Sequence, residues 1–239
     1  MDKEGIGFET VLKQAQEKGY AERNPEADVE GYDACRKIAI LSSLMSGKHV
    51  DYEDIYTEGI SKINIQDFEY ARSLNMAIKL LAICKRNENG FFTIVAPFLI
   101  PYENPLANVN GVFNAINVHG NMLGDVMFYG KGAGKNATAS AVVADVIDMV
   151  KHKGKHIEVN MKAEKAALSP KDNAVRHFFV RVAADLEDQA REIFGSNLDV
   201  VKRNSIPNEF AFITDSISEK DFEEKLWKMD SVKGYIRLY

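Results

Sequence analysis

Two runs rich in apolar and β-branched residues, 76–85 and 91–99, flank a short polar turn from Asn87 to Gly90. So tight a connection between two runs of strand length predicts an antiparallel hairpin. A second pair of runs, 112–118 and 125–129, turns around His119, Gly120 and Asn121. Four such strands predict one antiparallel or mixed sheet, and the helical segments before them predict a layer on one of its faces, an α+β arrangement. The loop between the pairs, PYENPLANVNG, carries two of the six prolines and three asparagines. It reads as a plain connection or as a functional loop.

Ahead of the hairpins, Phe8, Val11, Leu12 and Ala15 recur at helical spacing, and Gly19 stops the segment. The stretch 19–41, GYAERNPEADVEGYDACRKIAIL, comes next. With Asp28 as its cap it predicts one helix on which Asp33 and Lys37 stand a turn apart. Ile40 and Leu44 continue that stripe, and Ala34, Ile38, Leu41 and Met45 form a second one. A cylinder apolar over most of its circumference is expected to be buried. A carboxylate and an amine held away from water, with Glu22 close in sequence, suit the binding of an amino acid and the transfer of a proton. An ordinary solvated pair is the plainer alternative. Asn64 is expected to cap a further helix carrying Phe68, Ala71 and Leu74.

After the second hairpin comes GKGAGKNATASAVVADVIDMV, residues 130–150, where three alternate glycines lead into a helix expected to be capped near Thr138. Such a loop offers free amides to an anion and lets backbone approach a flat ligand, or it is simply a tight turn. It fits neither the phosphate-loop pattern, which needs Gly where Tyr129 stands and Ser or Thr where Asn136 stands, nor the spacing of the dinucleotide fingerprint. Residues 151–172 are polar, with Lys, Gly and Pro, and read as a linker. Beyond them the pattern predicts strand 178–183, helix 186–194, strands 198–202 and 210–214, helix 222–229 and strand 232–238. That βαββαβ order implies a ferredoxin-like unit with two helices on one face. The expected division is 1–152, a linker over 153–175, and a small unit over 176–239.

With 46% hydrophobic and 27% charged residues and no apolar run of eighteen, no helical membrane span is expected. A net charge of −5 without a basic run argues against a nucleic-acid or anionic-membrane surface. The start, MDKEGIGFET, lacks the pattern of a secretory signal, and Cys35 and Cys84 sit singly in apolar segments, as buried thiols in a reducing cytoplasm do. The five histidines stand at no repeating ligand spacing, so no metal is assigned.

On these residues the chain resembles the homoserine dehydrogenase family, from its catalytic domain onward. The resemblance is carried, in order, by GYAERNPEADVEGYDACRKIAIL, by EGI followed by a helix and IKLLAI, by NGVFNAINVHGNMLGDVMFYGKGAG and by TASAVVADV, over roughly residues 6–150. The remainder is similar to an ACT module. The resemblance implies NAD(P)-dependent interconversion of L-homoserine and L-aspartate 4-semialdehyde, on the route to threonine, methionine and isoleucine. It also implies a role for each matching residue. Lys37 is the catalytic lysine, Glu22 and Asp33 hold the substrate ammonium, and Gly19 and Gly134 touch the nicotinamide cofactor through their backbone. A lysine at hydrogen-bond distance from the reacting oxygen would take the hydroxyl proton in one direction and return it in the other.

A homodimer through the strand-rich middle and an amino-acid effector at the ACT-like unit are implied as well. The family's nucleotide-binding half has no counterpart in the chain, so most cofactor contacts would lie outside it. A truncated form, inactive alone, is expected. Ala137 replaces a proline usual in the family, and Leu186, Glu187 and Asp188 stand where an ACT module has Pro-Gly. The alternative of a different class is a non-catalytic amino-acid-sensing or assembly module.

Overall fold

The computed structural model describes residue 1 and residues 5–88, 90–156, 158–159 and 161–239. Its first half contains α1 (Phe8–Glu17), α2 (Glu26–Val29), α3 (Tyr32–Ser46), β1 (Lys48–His49), β2 (Tyr56–Thr57), α4 (Ile65–Ser73), β3 (Met76–Asn87) and β4 (Gly90–Pro101). There follow β5 (Phe113–Gly120), β6 (Gly124–Lys131), α5 (Lys135–Lys151), β7 (Lys162–Lys165) and β8 (Val175–Arg176). The last part runs β9 (Phe178–Ala183), α6 (Glu187–Phe194), β10 (Asp199–Lys202), β11 (Glu209–Ile213), β12 (Ile217–Ser218), α7 (Glu219–Leu226) and β13 (Val232–Leu238).

The first hairpin forms as its pattern predicts, β3 pairing antiparallel with β4 from Met76↔Pro101 to Asn87↔Gly90. Asn89, in its turn, lies outside the described residues. Residues 93–100 of β4 are all buried. Val95 faces a cluster with Cys35 and Ala39 of α3, and Leu99 one with Tyr70 and Ala71 of α4. Ile94, Ala96, Phe98 and Ile100 pack on the opposite face with Ala107. The strand is therefore the spine on which the helix layer rests.

The second hairpin does not join it. β5 and β6 pair only with each other, while β4's second edge is taken by β2 at Ile94 and Val95 and by β13 at Phe98 and Leu99, both parallel. The single four-stranded sheet is thus replaced by a two-stranded ribbon and a seven-stranded sheet ordered β10-β11-β9-β13-β4-β2, with β3 on β4's other side. Partners so far apart in sequence leave no mark on local periodicity, and so the expectation failed there. Residues 151–172 also carry more structure than a linker, since β7 runs parallel to β1 with Lys162 opposite Lys48.

The last part has the βαββαβ order expected of it, its strands antiparallel in the order β10-β11-β9-β13. Alternation along β9 splits its burial. Phe178, Val180 and Val182 join Ala190 and Phe194 of α6 and Phe222 of α7, whereas Phe179 meets Tyr70 and Ala71 of α4. The two halves of the chain thus share one continuous sheet and an apolar contact across it. Burying a phenylalanine on each side stabilises by about 1.5–3 kcal/mol per ring.

Candidate active site

The stretch 19–41 folds as two helices, not one. Asp28 lies inside the short α2, and α3 begins after Gly31, which adopts φ +77° and is buried. A Cβ there would stand 3.3 Å from Val95 Cγ1 and 3.4 Å from Thr57 Cγ2, so a small residue able to take positive φ suits the position. The Asp28 cap is therefore corrected, because the chain turns sharply between Glu30 and Gly31 before the second helix starts. At the far end Ser43 Oγ donates to the Ala39 carbonyl (2.7 Å) and accepts from the Val50 amide (2.9 Å), fixing the exit of α3.

Asp33 and Lys37 meet as their spacing implies, Nζ to Oδ2 2.5 Å. They do not enter the interior of this chain. Their side chains are 47% and 64% exposed, and Ile40, Leu44 and Met45 beyond them are exposed too. The buried residues of α3 are Cys35, Ala39, Ser42 and Ser43, which face β3 and β4. Apolar residues surround the cylinder, but the described residues cover only one side of it, which periodicity could not reveal. On a neighbouring side Cys35 Sγ donates to the Tyr52 carbonyl (3.4 Å) and the Arg36 guanidinium lies 5.5 Å from the Tyr52 ring centre.

Glu22 lies exposed in the turn after α1, its carbonyl accepting from Gln16 Nε2 at 3.0 Å. Among the described residues its carboxylate makes no hydrogen bond or ion pair. The structure thus joins Asp33 to Lys37 directly and leaves Glu22 unbonded to them. Gly19 ends α1 at φ +70°, with its amide donating to Gln16 O (3.0 Å) and the Tyr20 amide to Ala15 O (2.9 Å), the pairing of a Schellman cap. Gly134 is the residue from which α5 starts, at φ +115°, four residues before the expected Thr138 cap. Nothing lies within 4 Å of a Cβ built on Gly19 or Gly134, so both backbones are open to a flat ligand. Gly132 is different in kind, its amide donating to the Val112 carbonyl and its Cα facing the Asn114 side chain.

Sequence reasoning missed two buried ion networks. Arg181 on β9 lies 2.7 Å from Asp67 of α4 and donates to Glu209 of β11 at 2.8 Å. Arg237 on β13 grips Glu219 and Glu58. Burial holds the Asp67 carboxyl above its ordinary range against the pull of Arg181. The signal was present, an arginine inside each of the apolar runs FFVRVA and YIRL, because a buried guanidinium requires a partner. Among the described residues no three His, Cys, Asp or Glu side chains cluster as metal ligands do, and no helix is long and apolar enough to cross a membrane.

The family model for homoserine dehydrogenase matches residues 1–147, more than half of the chain. The chain belongs to the homoserine dehydrogenase family. A homoserine dehydrogenase of Helicobacter pylori is 34% identical over 99% of this chain and 59% of that protein, and one of Neisseria gonorrhoeae is 40% identical over 77% and 44%. A solved homoserine dehydrogenase from Thiobacillus denitrificans superposes with a TM-score of 0.86 at 34% identity, covering all of this chain and 60% of that one. One from Staphylococcus aureus gives 0.76 at 31% identity with the same coverage. The chain therefore spans about half the length of the homoserine dehydrogenases it matches, and the shared fold extends through the C-terminal βαββαβ unit.

Proposed function

We propose that the chain forms the substrate side of a homoserine dehydrogenase, interconverting L-homoserine and L-aspartate 4-semialdehyde with NAD(P). The observation that carries the reading is the contact of Lys37 with Asp33, one turn apart on the open side of α3. Asp33 and Glu22 hold the substrate ammonium, and Lys37 Nζ stands for the proton of the alcohol. When homoserine is oxidised, its hydroxyl proton passes to Lys37, and in the reverse direction Lys37 returns one to the carbonyl oxygen. The nicotinamide, when bound, supplies the acceptor or donor of the hydride. The open backbones of Gly19 and Gly134 fit its close approach, with the greater part of the cofactor held by a nucleotide-binding half outside these 239 residues.

Around this site we assign residues 1–152 to the catalytic and dimerisation part and 176–239 to an ACT-like regulatory unit with an amino-acid effector. A homodimer is assigned to the strand-rich middle. Its support is the β5–β6 ribbon, where Ile116, Val118, Met127, Phe128 and Tyr129 are all exposed, more apolar surface than a lone hairpin keeps in water. A cytoplasmic biosynthetic role follows from the same family reading. The test joins the chain to a nucleotide-binding half and follows homoserine oxidation with NAD and with NADP. The joined protein is expected to work and its Lys37→Ala variant to fail; equal activity in the two refutes the assignment.

A further inference from the structure

Arg237 is 1% exposed and donates from all three nitrogens of its guanidinium. Its Nε donates to Glu219 Oε1 at 2.8 Å, its Nη2 to Glu219 Oε2 at 2.9 Å and its Nη1 to Glu58 Oε2 at 2.6 Å. Arg176 Nε lies 3.0 Å from Glu219 Oε1, and Tyr56 Oη donates to Glu58 Oε2 at 3.2 Å. Two guanidiniums balance two carboxylates. Three of these four charges come from residues 176–239, and Glu58 is the one contributed by the first half of the chain.

What Glu58 does next in the chain matters more than the pair itself. Its amide donates to the Val95 carbonyl (2.8 Å), which ties it to the spine strand, and the Ile60 amide donates to the Val29 carbonyl (2.8 Å). Between them, a Cβ on Gly59 would fall 2.4 Å from Val29 O and 2.5 Å from Glu30 Cα. The backbone of residues 58–60 is therefore the floor on which the α2–α3 turn sits. A Cβ on Gly31 would lie 3.7 Å from Glu58 O, and Asp33 and Lys37 follow two and six residues later. α2 has only four residues and buries none, so this floor is what locates the turn.

We propose that Arg237 and Glu58 are positioning residues for the Asp33–Lys37 site, the C-terminal unit setting the seat of α3 through the floor at 58–60. The inference rests on reading that pair as the substrate site. Without its guanidinium partner, the half-buried Glu58 carboxylate would be drawn towards water, and the floor would move with it. The C-terminal unit is thereby a fixed wall of the site as well as a place for an effector.

Hydrogen exchange on this chain tests the proposal without any assay of turnover. Glu58→Gln is expected to speed exchange at the amides of Cys35, Arg36, Lys37 and Ile60 by roughly tenfold, leaving β9 and β11 unchanged. Tyr56→Phe, which removes one hydrogen bond and keeps the fold, is expected to move the same amides by a smaller factor. Unchanged exchange at those amides, or an equal rise throughout the sheet, overturns the proposal. In the enzyme joined to a nucleotide-binding half, Glu58→Gln is expected to raise the KM for homoserine while leaving the KM for the cofactor in place. An unmoved homoserine KM overturns the positioning role even where the exchange changes, and a joined wild-type protein without turnover sinks the functional reading while the exchange result still stands.

Discussion

Replacing Arg181 by methionine removes the charge that serves two carboxylates at once. Arg181 is buried between Asp67, 2.7 Å away and itself 3% exposed at the side chain, and Glu209, 2.8 Å away and 18% exposed. Glu209 can turn to solvent, but Asp67 cannot. Its Oδ2 also accepts the Asn64 amide in the capping box of α4 (2.8 Å), which holds it in place. Breaking a buried pair from one side costs about 3–5 kcal/mol. Against a total stability of about 5–15 kcal/mol, that is roughly a fifth or more. The loss should depend on pH in a definite direction. Burial already raises the Asp67 carboxyl above its ordinary value of 3.8, and Arg181 opposes the rise, so Arg181→Met lifts it further. A carboxyl whose folded value is raised gives stability that is present below the unfolded value and lost as pH rises through the folded one. Urea unfolding followed by circular dichroism should therefore show the variant's deficit largest near pH 7 and shrinking toward about pH 4. Asp67→Asn in the same background should recover most of it, because the amide oxygen can still cap Asn64 without a charge. An equal deficit at both pH values, or a double variant no better than the single one, would refute the reasoning.

Two further substitutions probe how the site is held. Gly59→Ala pushes a Cβ against Val29 O and Glu30 Cα and should cost about 1–3 kcal/mol, with shifted amide signals across residues 28–37 in NMR spectra; unshifted signals would mean the floor is softer than drawn. Asn64→Ala removes the cap that accepts the Asp67 amide at 3.3 Å and should lower stability by about 1 kcal/mol by urea titration.

Local patterns read well wherever a structure is made by neighbours in sequence. The hairpin of β3 and β4, the Gly19 stop and the Asn64 cap each rest on a few adjacent residues, and each appears where its pattern places it. The Asp33–Lys37 contact was legible for the same reason, being one turn of one helix. Coverage was not. Ile40 and Leu44 have the side chains of buried residues, yet among the described residues they stand exposed, because what covers a helix face is decided by elements far away in sequence or outside the chain. The joining of β13 to β4 escaped for the same cause, as did Arg237 reaching Glu58 across 179 positions.

The central claim is that Asp33 holds the substrate while Lys37 moves its proton, and steady-state kinetics separates the two roles. In the chain joined to a nucleotide-binding half, Lys37→Met is expected to lower kcat for homoserine oxidation by about 10²–10⁴ with the homoserine KM little changed. Asp33→Asn is expected chiefly to raise that KM. A Lys37→Met enzyme that keeps its kcat would contradict the account.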